Sequence, residues 1–295
     1  MNERVAATRG MGWIPDLPDT RDYTIGHPDV SNLLQKLPEI TEQKEAVDLR
    51  VGEEGEPHFP LVQDQGMNNS SSAIATLSLL QYFERRTLGL AESYSSTFLY
   101  KVARNLRNHG TSMVGDRGVD LRTTFRALTK FGIPSEKLWQ NEDSMIDREP
   151  GAFVYAASRP RDDIRYFRAI PEAVEPDARF EIAAAYLTAG FPLLMGFSVP
   201  LIHWNTEHLR IREGYDIVDG GAAMVAVGFK RFHFSQHEHG ILVRTSWGKD
   251  WGQNGYVWAS SYLLRQRQIR DIWTFVSPSW LNVEELSRPL TDRFT

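Results

Sequence analysis

Residues 243–256 read VRTSWGKDWGQNGY, and the fold is decided by what this stretch joins. On its N-terminal side GILVRTSW (240–247) is β-branched and aromatic, and on its C-terminal side GYVWAS (255–260) repeats that character. With polar and glycine residues between them, the two runs predict strand, turn, strand. Upstream, GGAAMVAVGF (220–229) and PLLMGFSV (192–199) read as further strands, and IWTFV (272–276) as a last one. The N-terminal half has a different grammar. VQDQGMNNSSSAIA (62–75) runs into SSSAIATLSLLQYFERRT (70–87), where Ala73, Ile74, Leu77, Leu80 and Phe83 follow helical spacing. Ala75 and Leu79 add apolar surface on another side, which predicts a buried helix. Asn69 or Ser70 is the expected cap. Helices are predicted at about 95–107 and 119–131, the latter stopped by Gly132, and at about 178–189, stopped by Gly190. Helices early and antiparallel strands late define an α+β protein of two lobes.

Bulk properties narrow the function. The chain has 295 residues, 41% hydrophobic and 24% charged, with a net charge of −5 and no concentrated basic face for nucleic acid. No stretch approaches the ~18 apolar residues of a membrane span, and none joins a basic to a strongly apolar face. The N-terminus lacks the apolar run of a secretory signal, so a cytoplasmic location is the expectation. The cysteine count is zero, which excludes disulfides, thiolate metal sites and a thiol nucleophile. Residues 1–45, rich in Pro, Asp and Gly, read as an extended arm wrapping a domain surface, anchored by Trp13, Ile14, Leu17 and Tyr23.

In order and spacing, the blocks at 62–75, 220–229 and 243–256 resemble the signature blocks of papain-like (family C1) cysteine peptidases. SWGKDWGQNGY (246–256) is the most specific of them. GWIPDLPDTRDY (12–23), SSTFLYKVAR (95–104) and DRGVDLRTTFRALTKFGIPSEKLW (116–139) resemble the bacterial intracellular branch of that family. The resemblance runs from about Gly12 to Val276. It implies a helical left lobe at about 60–150 and an antiparallel β-barrel right lobe at about 151–285, within a domain of residues 46–295 that follows the arm. A cleft would lie between the lobes.

The same resemblance exposes a loss. Where the family carries its nucleophilic Cys, its His and its Asn, this chain has Ser71, Ala222 and Thr245. A serine hydroxyl needs a base within hydrogen-bond reach, and the helix N-terminus alone cannot ionise it. Gln65 matches the position whose side chain donates to the oxyanion, beside the Ser71 N–H; equally, it is a brace for the Gln-Gly turn. Candidate cleft residues are Gln65, Asn68, Asn69, Ser70, Ser71, His203, His208, Asp219, Gly221, Ala222 and Trp247. Replacement of an imidazole by Ala222 is expected to leave room for a side chain or ligand.

Alternative bases for Ser71 lie in 203–219, at His203, His208, Glu213, Asp216 and Asp219, where solvated loop residues are the plainer reading. FHFSQHEHG (232–240) invites a metal reading through His233, His237, Glu238 and His239, but a hairpin tip accounts for it, and no metal or cofactor is expected. Trp247, Trp251, Tyr256 and Trp258 read as core packing before they read as a ligand box.

The expected function is a pseudopeptidase: a catalytically dead scaffold that binds a peptide, protein or small molecule in its cleft. The alternative is a repurposed enzyme for acyl transfer, amide formation or cyclisation, using Gln65 and the helix N-terminus at Ser71.

Overall fold

The computed structural model describes residues 9–35, 43–52, 54–90, 92–200, 208–210 and 218–281. Its helices are α1 (Pro28–Leu34), α2 (Ser71–Leu88), α3 (Ser96–Arg107), α4 (Leu121–Phe131), α5 (Ala152–Ala157), α6 (Arg179–Thr188), α7 (Ser261–Arg265) and α8 (Pro278–Leu281). Its strands are β1 (Ala46–Asp48), β2 (Arg165–Ile170), β3 (Leu193–Pro200), β4 (His208–Leu209), β5 (Val218–Ser235), β6 (Glu238–Arg244), β7 (Tyr256–Ser260) and β8 (Ile269–Val276). Helices α2, α3 and α4 pack together as the helical part, and the sheet orders its strands β2-β8-β3-β5-β6-β7-β4, with β1 paired to β5. Among the described residues no pairing joins β2 to β4, so the ladder is not closed, and β4 pairs with β7 in parallel. The α+β architecture with helical and β parts is the one the sequence pattern and the resemblance predict.

Helix α2 lies at the centre. Buried residues occur all around it, from Ser71 and Ser72 through Ala73, Leu77, Leu80 and Phe83 to Thr87, so it sits between the sheet and helices α3 and α4. Its C-terminus ends on Gly89 in the left-handed conformation, at φ 63°. Strand β5 does the other half of the positioning. It pairs with β3 along Gly220–Ala226 and with β6 along Val225–Ser235, interrupted by bulges, and so links both halves of the sheet.

The arm departs from expectation. It holds a helix, α1, and its residues 9–14 enter the seam between α2 and the sheet instead of wrapping an outer surface. Trp13 is buried as predicted, whereas the Leu17 side chain is 79% exposed, and Leu17 holds the arm only through its carbonyl, which accepts from Arg122 Nη2 at 2.8 Å. Further along, the arm is held by charge. Asp16 accepts from Trp273 Nε1 at 2.9 Å and from the Arg122 N–H at 3.3 Å, while Asp22 binds Arg122 at 2.6 Å and Arg168 at 2.7 Å. Asp271 also pairs with Arg168, at 3.1 Å, and so does Asp16, at 3.4 Å. Three carboxylates therefore share two guanidinium groups. Burial, then the charges of Asp271 and Asp120, push the Asp16 pKa up to about 7 against the pull of Arg122 and Arg168.

Candidate functional site

Ser71, Ala222 and Thr245 lie at the N-terminus of α2, on β5 and in the β6–β7 connection. Ser71 is fully buried, and its Oγ accepts the backbone N–H of Ala223 at 3.0 Å. That bond ties the helical part to the sheet through the Ser71 hydroxyl oxygen. Ala222, also fully buried, pairs with Phe197 across to β3. Thr245 donates its hydroxyl to the Gly255 carbonyl at 2.9 Å and accepts the Trp247 N–H at 3.3 Å, so it closes the turn between β6 and β7. Each of these residues is a built part of the scaffold, and among the described residues no imidazole or carboxylate is hydrogen-bonded to Ser71.

Gln65 and the Ser71 N–H form a carbonyl-binding corner, and it is filled. Gln65 is 2% exposed; its Nε2 donates to the Met11 carbonyl at 2.9 Å and to the Asn68 carbonyl, while its Oε1 accepts from the Ser246 hydroxyl. The Ser71 N–H donates to the same Met11 oxygen at 3.3 Å. Two donors thus converge on one carbonyl in the manner of an oxyanion hole, and that carbonyl belongs to the chain's own arm. The same contact caps α2. Ser70 is the N-cap residue, but it makes no capping bond with its side chain, contrary to expectation; its hydroxyl donates to Asn68 Oδ1 instead. Asn69 does not cap either. Its Oδ1 accepts the Met11 N–H at 2.9 Å, and its Nδ2 donates to the Asp116 carbonyl at 3.0 Å.

The arm is bonded along its length. Gly10 N–H donates to the Gly66 carbonyl at 2.9 Å, and the Gly10 carbonyl accepts from Trp247 Nε1 at 3.0 Å. Trp13 N–H donates to the Gly221 carbonyl at 2.9 Å, Gly12 accepts from the Val119 N–H at 2.8 Å, and Arg9 pairs with Asp64 at 2.8 Å. The sheet face beneath Trp13 is paved with glycine. A Cβ on Gly196 would stand 1.9 Å from the indole, and one on Gly221 would stand 2.6 Å from it. Gly12 itself runs at φ +118°, and a Cβ there would stand 1.9 Å from the Asn69 carbonyl oxygen, so only glycine passes this point.

Of the predicted cleft residues, Gln65, Asn69, Ser71, Gly221 and Trp247 therefore contact the arm directly. Asn68 braces the loop through Ser70 and through Asp143 at 2.8 Å, and Asp116 braces Asn69 through its backbone N–H at 2.8 Å. Asp219 lies in β5, with its side chain beyond what the structure describes, and His203 lies outside the described residues. His208 is elsewhere. It stands on edge strand β4 opposite Trp258, near His233 (5.9 Å) and Phe234 (5.5 Å). That places it three strands from β5, level with Gly228 and six residues along from Ala222, roughly 20 Å by strand rise. It is not a cleft residue, because the sheet carries it to the opposite edge.

The histidine-rich hairpin is structural. Glu238 is ion-paired with Arg210, His239 stacks on Phe180 at 4.2 Å and His233 on Trp258 at 4.2 Å. Among the described residues no three side chains are grouped to hold a metal. Trp247 and Trp251 are core residues packed edge to face at 4.7 Å. No helix among the described residues is long and apolar enough to cross a membrane.

Fold and composition together define a papain-like scaffold that lacks a catalytic cysteine. No family model matches the chain. In sequence, 207 residues are 26% identical to the uncharacterized peptidase C1-like protein L477 of Acanthamoeba polyphaga mimivirus, covering 68% of this chain and 61% of that protein. The chain thus spans about three fifths of the curated relative it matches. In structure it is similar to xylellain, a cysteine protease from Xylella fastidiosa, with a TM-score of 0.70 at 23% identity, covering 94% of this chain and 99% of that one. It is also similar to digestive procathepsin L2 proteinase of the Tenebrio molitor larval midgut, with a TM-score of 0.65 at 19% identity over 94% of this chain and 80% of the other. These likenesses establish the papain-like fold.

Proposed function

We propose that this chain is a noncatalytic papain-like protein, a pseudopeptidase, whose cleft is a receptor for an extended peptide segment, its own residues 9–14 being the resident occupant. One observation carries the reading: Gln65 Nε2 and the Ser71 N–H both donate to the Met11 carbonyl while Ser71 Oγ is held by the Ala223 N–H. A carbonyl is bound where a substrate carbonyl would be polarised, and the attacking oxygen is engaged elsewhere. With no cysteine in 295 residues, the chain has no thiol to take over the role. Removing a single nucleophile or base in a triad enzyme costs up to about 10⁶ in rate, so three replacements leave binding as the function the geometry serves. An external peptide or protein segment would enter by displacing the arm.

The test uses a fluorescent peptide of residues 7–18, ATRGMGWIPDLP, added to the full chain and to its Trp13→Ala variant. Anisotropy should report binding to the variant at least tenfold tighter than to the wild type, with the peptide recovered uncleaved. Peptide cleavage or acylation abolished by Ser71→Ala would refute the proposal, as would failure of both proteins to bind.

A further inference from the structure

Helix α2 turns a second face, that of Ile74, Ser78, Gln81 and Arg85, toward a pocket of about 420 Å³ that the cleft reading does not use. Arg244, at the end of β6, forms part of its wall and is only 2% exposed. All its hydrogen-bond partners are neutral: Ser78 Oγ at 3.3 Å, the Tyr256 hydroxyl at 2.8 Å and the Leu61 carbonyl at 2.9 Å. The planes of Phe59 and Tyr256 complete its surroundings, at 5.5 and 5.7 Å. No carboxylate is paired with it among the described residues. Three of its five N–H donors are used, so two are left over.

A second arginine stands at the same pocket. Arg85 forms no ion pair among the described residues, and its Nε is buried without a hydrogen-bond partner. Two carboxylates also line the pocket, but Asp64 is taken by Arg9 and the Gly66 N–H, and half-buried Glu136 pairs with neither arginine. Burial drives the Arg244 pKa below its ordinary value; Tyr256 pulls it back up, and the neighbouring Arg85 charge lowers it by a smaller amount. A desolvated cation without a counter-ion is costly, and a guanidinium fork matches an oxyanion bidentately. We infer that the pocket between Arg85 and Arg244 binds a small oxyanion, a carboxylate or phosphate group, with Ser78 and Gln81 offering further polar contacts. This site is separate from the arm-filled cleft and goes beyond the proposed function.

Isothermal titration of the full chain with sodium phosphate, and separately with citrate, at ionic strength fixed with chloride, tests the inference. Saturable binding is expected with at least one of them. Phosphate alone assigns a phosphoryl ligand, and citrate alone assigns a carboxylate. Arg85→Gln should weaken binding at least tenfold while leaving the thermal midpoint in chloride unchanged, and Trp13→Ala should leave anion binding intact. Arg244→Lys, which keeps the charge but loses the fork, should weaken binding too; if that variant does not fold, Arg85→Gln decides. No binding beyond chloride, or equal binding in Arg85→Gln, overturns the site. Loss of anion binding in Trp13→Ala overturns its independence from the cleft.

Discussion

The two sides of α2 are opposites in how far their polar groups are satisfied. At its N-terminus the polar groups around Ser71 are engaged, Trp13 Nε1 excepted: Gln65, Asn69 and the Ser71 N–H by the arm, Ser71 Oγ by the Ala223 N–H, and Thr245 by its own turn. On the face toward Arg85 and Arg244, two cations lack a carboxylate partner among the described residues. A buried group with its partners in place contributes stability when kept and costs it when cut; an uncompensated charge does the reverse. The first region is occupied by the chain's own arm, and the second is a place where something outside the chain is expected.

The contrast breaks hardest at Trp13. Trp13→Ala empties the glycine-paved recess over Gly196 and Gly221 and should cost about 3 kcal/mol, measured by urea denaturation, with new proteolytic cleavage in residues 9–18. A loss below ~1 kcal/mol would mean that the arm is loosely laid. Gln65→Ala removes donors to Met11 and Asn68 together with the acceptor for Ser246, and should cost about 2 kcal/mol in the same assay. Ser71→Ala strands the Ala223 N–H and should cost about 1 kcal/mol, with no change in any measured activity.

The pH dependence sharpens the comparison further. The folded Asp16 pKa of about 7 exceeds the unfolded value near 3.9, so the folded state binds the extra proton between them. The stabilisation is fully present below the unfolded value and is lost as pH rises through 7. The thermal midpoint should therefore rise by roughly 3 °C from pH 8 to pH 5, and Asp16→Asn should flatten that part of the profile. Arg85→Gln, on the other face, should change stability by less than about 0.5 kcal/mol.

Much of this architecture was legible from local pattern. Apolar residues on more than one side of 70–87 announced a buried helix, and the paired runs around SWGKDWGQNGY announced β6 and β7, because both signals depend on near neighbours. Ser71, Ala222 and Thr245 stood out in the sequence, but the hydrogen bonds they make did not. Ser71 Oγ meets a backbone N–H 152 residues away, a partner with no side-chain identity to read. The arm in the cleft left one sequence trace: Gly10 and Gly12 flanking Met11, with Gly220-Gly221 and Gly196 far downstream, a pattern that acquires meaning only once the sheet brings them together. His208 misled for the converse reason, since closeness in sequence to Ala222 became remoteness across three strands. Asp16 and Arg244 gave no local signal, because their burial is a property of the packed lobes.

The central claim is that the chain's own arm holds the carbonyl-binding corner. Amide hydrogen exchange of the full chain at Trp13 and Ser71 measures this directly, because the two N–H groups donate to Gly221 and Met11 respectively. Protection at both positions comparable to the core of β5, and lost together in Trp13→Ala, is the predicted result. Exchange at Trp13 as fast as in a free peptide, with Ser71 still protected, would contradict the account.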